Sequence, residues 1–171
     1  GLGDVYKRQL GDWRTMRLIA RLDKRKSGMD AFEPFTWELA DHSRRRTAAG
    51  LEAAKVQLQQ VSHQFAQFLN EYDVLLTPVL GRPPFRLGQI DQEAKWDEIV
   101  EQLFDYVAFT PVANFSGVPA MSVPTHWTAA GLPIGTHFMS RSGSEELLLG
   151  LAGQLERALP WSQRRPSVWA D

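Results

Sequence analysis

The chain has 171 residues, 43% of them hydrophobic, with 19 basic against 20 acidic side chains and a formal net charge of -1. That is enough apolar matter to bury a core, and it lacks the basic excess of a nucleic-acid binder. The absence of cysteine excludes disulfides and thiolate metal sites, and no apolar run approaches the roughly 18 residues of a membrane span. No basic-then-apolar leader opens the chain, and a cytoplasmic location is the expectation.

Residues 1–9 (GLGDVYKRQ) resemble a translated sequencing-adapter tail and are set aside as non-native, so the domain is expected over 10–171. Trp13, Met16, Ile19 and Leu22 share one face of a short amphipathic helix over 12–22. Ser27-Gly28 and Pro34 interrupt it, and a second short helix is expected over 37–45. The strongest periodicity runs over 48–72, where Leu51, Ala54, Leu58, Val61, Phe65 and Phe68 alternate spacings of three and four behind a capping Thr47. A coiled coil would share the pattern, but the run is short, and a helix packed in a core is the better reading.

Residues 73–78 (DVLLTP) read as a buried strand closed by proline. The loop over 81–91 carries Arg82, Pro83, Pro84 and Arg86, and its length suits either a functional loop or surface decoration. A helix follows over 96–107, with Trp96, Ile99, Leu103 and Tyr106 on one face. Residues 109–119 (FTPVANFSGVP) are apolar but broken by two prolines and a glycine, which predicts a buried irregular crossing in place of a regular helix. A strand over 120–123 closed by Pro124, a turn over 128–131 and a strand over 134–140 predict a β-hairpin. Ser142 and Glu145 have capping-box spacing before a stripe of Leu147, Leu148, Leu151, Leu155 and Leu159, which Pro160 stops. The tail over 161–171 is expected to run as an extended strap.

A self-contained active site is not legible. There is no glycine-rich phosphate loop, no His-Glu-x-x-His, no Gly-x-Ser-x-Gly and no Ser-x-x-Lys. His42, His63, His126 and His137 lack the spacing of paired metal ligands. Ser116, between Phe115 and Gly117, sits in a suggestive turn, but no base is placed near it by spacing, and a structural role is preferred. The Arg44-Arg45-Arg46 run reads as a solvated face, and Glu145-Glu146 and Asp97-Glu98 read as complements to helix dipoles.

Taken in order, Tyr72-Asp73-Val74-Leu75-Leu76-Thr77-Pro78, Phe109-Thr110-Pro111, Asn114-Phe115-Ser116-Gly117-Val118-Pro119-Ala120-Met121-Ser122-Val123-Pro124 and Gly131-Leu132-Pro133-Ile134-Gly135 resemble the C-terminal portion of the amidase-signature family. Leu159-Pro160-Trp161 and Arg165-Pro166 resemble the tails of its stand-alone amidases. The resemblance implies an α/β fold, the C-terminal part of an α/β/α sandwich with a mixed central sheet. It also implies hydrolysis of a carbon–nitrogen amide bond other than a peptide bond, by a serine nucleophile, a second serine held by a cis peptide, and a lysine.

Those catalytic motifs are not found here. None of Lys7, Lys24, Lys26, Lys55 and Lys95 matches the catalytic lysine, no catalytic residue is carried over, and the chain is expected to be an inactive fragment by itself. What the resemblance does carry over is a substrate-binding stretch, Asn114, Phe115, Ser116 and Gly117, within the family's Asn-x-x-Gly-x-Pro-Ala pattern that continues to Pro119 and Ala120. Asn114 could equally just tie its loop, and Phe109 and Phe115 could fill core in place of an acyl pocket. It implies a small-molecule amide substrate, no cofactor, no metal, no nucleic acid, no membrane, and a parent enzyme for which a homodimer is open. Two alternatives stand beside it: the A subunit of glutamyl-tRNA amidotransferase, against which the Pro160-Trp161 and Arg165-Pro166 tail argues, and a non-catalytic domain binding a partner through the 81–91 loop.

Overall fold

The structure, a computed structural model, describes residues 34, 47–89 and 96–166. The helices expected over 12–22 and 37–45, the segment 1–9, the Arg44-Arg45-Arg46 run and the end of the tail lie outside the described residues.

Helix α1 spans Ala48–Glu71, and Thr47 caps it as its sequence position predicts, its side-chain oxygen accepting from Gly50 N–H at 3.0 Å. Its buried line departs from the expected one. Ala54, Leu58 and Phe65 are half-buried as expected, but the line continues through Ser62 to a fully buried Leu69, leaving Val61 42% and Phe68 39% exposed. A serine can stand in a buried line because its hydroxyl donates back to Leu58 O at 2.7 Å, so no polar group is stranded. Phe68 instead stacks between Phe65 and Tyr72, with ring centroids 6.3 and 4.7 Å away.

Strands β1 (Leu75–Pro78), β2 (Ala120–Trp127) and β3 (Pro133–Met139) form a sheet in the order β1-β3-β2. Among the described residues every pairing is antiparallel, with Leu75 and Ala120 both opposite Met139. The expected hairpin is present, closed by a turn in which Gly131 takes a left-handed φ of 82° and Thr128 N–H donates to Leu132 O at 2.9 Å. Pro124 does not end β2 as expected. The register shifts between Pro124 and His126, and such a bulge absorbs a residue that cannot donate to the ladder, so the strand continues to Trp127.

Helix α2 spans Trp96–Tyr106 and buries Ile99, while Leu103 is 41% exposed. The prediction of an irregular crossing over 109–119 is corrected, because Pro111–Ser116 forms a short helix, α3. Pro111 stands at the start, where a missing N–H costs nothing, and Gly117 terminates the helix in a left-handed conformation. Two of the residues that read as breakers, Pro111 and Gly117, are therefore the helix's punctuation.

Helix α4 spans Glu145–Ala158, with Glu145 and Glu146 in its first turn and Arg157 in its last, in accord with the dipole. The capping-box expectation is corrected: Ser144 is the N-cap, and it makes no side-chain cap bond. Gly143, at φ 80°, turns the chain between Ser142 and the helix, so Ser142 cannot reach the first free N–H groups.

One sheet face carries Val123 and Phe138, which meet Leu148 of α4 in the core, with Met121, Leu147, Leu151, Leu155 and Trp161 packed around them. The described part of the tail, 161–166, turns back instead of running extended. Arg164 N–H donates to Trp161 O at 2.9 Å, and the Arg164 guanidinium lies 3.9 Å from the ring centroid of Trp127. Leu159, expected on the helical stripe, is the C-cap and is 45% exposed.

Candidate functional site

The stretch Asn114, Phe115, Ser116 and Gly117 is contiguous on the last turn of α3 and its cap. A six-residue helix has little stability of its own, so its neighbours hold it. Ala113 is buried, Phe115 is half-buried, and the Phe115 carbonyl lies 3.4 Å from Ser62 Oγ of α1. Gly117 N–H donates to Ala113 O at 2.9 Å, which closes the helix and fixes the chain's exit toward β2.

These contacts divide the four residues by what they can offer a ligand. The Ser116 hydroxyl donates to Val112 O at 2.6 Å and is turned into its own helix, where it satisfies the backbone. Asn114 is exposed, leaving a carboxamide with two donors and an acceptor toward solvent. At Gly117 the space that a side chain would fill is open, with no heavy atom within 4 Å of a built β-carbon, so a ligand can approach the backbone closely.

The segment's exit is pinned by a residue that sequence patterning passes over. Ser140, fully buried at the end of β3, donates through its N–H to Pro119 O at 3.2 Å and through Oγ to Asp73 O at 2.7 Å. One small residue thereby ties the entry of β2, through its backbone, to the entry of β1, through its side chain. A serine next to a strand end carries no sequence signal for this, because both acceptors are remote in the chain.

His137 is equally silent in the sequence. It is 4% exposed, and its Nδ1 lies 3.1 Å from Thr77 Oγ1 across the β1–β3 ladder. Thr77 Oγ1 donates to Pro78 O at 3.0 Å, so its proton is used and it accepts from Nδ1–H. Burial holds the His137 pKa below its ordinary value of 6.5.

The consequence for stability has a definite sign. As pH falls below 6.5 the unfolded chain takes up a proton that the folded chain refuses, so stability declines from 6.5 down to the depressed folded value and is complete above that window. Melting temperature followed as the pH is lowered through 6.5 should show this loss, and His137→Gln should flatten it. An unchanged acid-side slope in the variant would rule the assignment out.

Among the described residues, no group of three or more His, Asp or Glu side chains could hold a metal ion, and no helix is long and apolar enough to cross a membrane. His63 and His126 are exposed, His63 beside Ser62 on α1 and His126 on β2, and His42 is outside the described residues. Lys55 is the one lysine among the described residues; it lies on α1 and bridges Glu52 at 2.6 Å.

The chain is 33% identical to "Putative amidase AmiC" of Mycobacterium tuberculosis over 156 residues, which cover 88% of this chain and 33% of that protein. The fold superposes on the structure of 6-aminohexanoate cyclic dimer hydrolase with a TM-score of 0.79 and 29% identity, covering 91% of this chain and 34% of that one. It also resembles the Thermotoga maritima glutamyl-tRNA(Gln) amidotransferase, in its A subunit, with a TM-score of 0.58, 25% identity, and coverage of 83% and 30%. The chain thus spans about a third of the length of the curated relatives it matches. The Amidase family model matches residues 4–149, a stretch that includes β1, α3 and the hairpin that exits from it. With an α/β fold shared by amidase-signature enzymes and a family match over most of its length, the chain belongs to the Amidase family.

Proposed function

We propose that the protein hydrolyses the carbon–nitrogen bond of a small amide, other than a peptide bond, and that these 171 residues supply part of the wall around the reacting group. Asn114, Phe115, Ser116 and Gly117 form that wall, with Asn114 and the open Gly117 backbone touching substrate and Phe115 and Ser116 holding them in place. The serine nucleophile, the serine on a cis peptide and the lysine come from sequence outside these residues. The observation that carries the reading is the pairing of an exposed carboxamide with an uncovered, left-handed glycine on a helix turn fixed from both sides.

A stand-alone amidase is favoured over the amidotransferase, because the superposition on the cyclic dimer hydrolase is the better of the two. The test is expression of the complete reading frame that contains these residues, with amine or ammonia release followed over a panel of small amides that includes the cyclic dimer of 6-aminohexanoate. Turnover should occur, Asn114→Ala should lower kcat/KM about tenfold, and the 171-residue chain by itself should be inactive. Full activity in Asn114→Ala would remove that residue from the site. Turnover by the isolated chain would refute the external triad, and glutamine-specific ammonia release would favour the amidotransferase.

A further inference from the structure

A cleft of about 200 Å³ opens where β1 ends, walled by Pro78, Val79, Pro83, Pro84 and Ile134, with Arg82 as its one charged side chain among the described residues. It lies at the Pro78–Thr136 end of the β1–β3 ladder, whereas Gly117 leads into the opposite end, where Ala120 faces Met139. The cleft is therefore separate from the stretch proposed above.

Its shape is built in. The prolines have fixed φ, and the floor at Gly135 is bare backbone by necessity, since a β-carbon there would sit 2.6 Å from Ser122 Oγ and 2.7 Å from Val79 Cγ2. The loop is tied to the end of α2 twice: Gly81 N–H donates to Tyr106 O at 2.9 Å, and the Phe85 ring packs at a tilt against Tyr106 with centroids 4.5 Å apart. Arg82 lies over that same Phe85 ring, 4.9 Å from its centroid. Among the described residues its guanidinium has no carboxylate or carbonyl partner, so a fork of N–H donors lines an otherwise apolar hollow.

We propose that this cleft binds a small aliphatic carboxylate, with its alkyl part against the proline and isoleucine walls and its two oxygens accepting from Arg82. A guanidinium prestacked on an aromatic ring recognises a carboxylate through two parallel hydrogen bonds. A cavity of roughly 150 Å³ admits benzene, so this one takes a ligand of about seven or eight heavy atoms. The inference rests on the cleft and not on the proposed hydrolysis, so binding and turnover can fail separately.

Isothermal titration of the protein with 3-methylbutanoate, and with 4-methylpentan-2-one as its neutral counterpart of equal size, tests it without any bond to hydrolyse. The carboxylate should bind at least about tenfold more tightly than the ketone. Arg82→Gln should abolish that preference, while Arg86→Gln, on the same loop but outside the cleft, should leave it intact. Arg82 is exposed, and an unchanged circular dichroism spectrum in the variant verifies the fold. Absent carboxylate binding, equal affinity for the two ligands, or a preference that survives Arg82→Gln would overturn the assignment.

Discussion

Phe138→Ala is expected to destabilise the fold by about 4 kcal/mol, a large share of the roughly 5–15 kcal/mol that holds a domain together. Phe138 is 5% exposed on the central strand, and its ring meets Val123 of β2 and Leu148 of α4. Loss of the ring removes its transfer energy and leaves a cavity, and the surroundings cannot close over it. β3 is bonded on both sides, to β1 and to β2, and α4 is held over the sheet by Leu147, Leu151 and Leu155. Leu149→Ala on the same helix is the control: Leu149 is 71% exposed, and its truncation should change stability by less than about 0.5 kcal/mol. Urea unfolding of the two variants beside the parent decides the matter. A gap of less than about 1 kcal/mol between them would mean that the β3–α4 layer is not the core.

Gly81→Ala should cost roughly 2–3 kcal/mol, although the change adds one methyl group to an exposed loop. The added carbon would overlap the carbonyl oxygen of Asp105, a backbone atom inside α2 that cannot rotate away. The loop must lift, and the bond from Gly81 N–H to Tyr106 O goes with it. Because Phe85 and Arg82 are aligned through the same contact with α2, the variant should also lose carboxylate binding in the cleft. Gly88→Ala separates this effect from backbone strain. Gly88 has φ 76° but open space around it, so its substitution should cost only about 1 kcal/mol. Thermal unfolding that ranks the two substitutions equally would show that the Asp105 contact does not constrain the loop.

Where local chemistry decides, the chain is legible. The three-and-four spacing over 48–72 becomes α1, the Thr47 cap forms, the leucine stripe after Ser144 becomes α4, and the apolar runs on either side of Gly131 become a hairpin. Proline accounts for the main departures. Pro111 and Pro124 read as breakers, yet one begins a helix and the other rides in a bulge, and both are places where a missing N–H is harmless. The buried line of α1 departs from its periodicity for another reason: Ser62 looks like an outward residue until its carbonyl partners, Leu58 O and Phe115 O, are known.

The candidate site divides along the same boundary. The sequence by itself determined α1, α2, α4 and the hairpin, the family resemblance and the candidate stretch from Asn114 to Gly117, because periodicity, caps and ordered motifs act over a few residues. Only the tertiary structure decided that Ser116 is turned inward, that His137 is desolvated beside Thr77, that Ser140 ties two strand entries together, and that Gly81 has no room for a side chain. Each of those properties depends on atoms brought close by packing. His137 and Thr77 are 60 positions apart and Ser140 and Asp73 are 67 apart, separations at which no local pattern in the chain records who the neighbour will be.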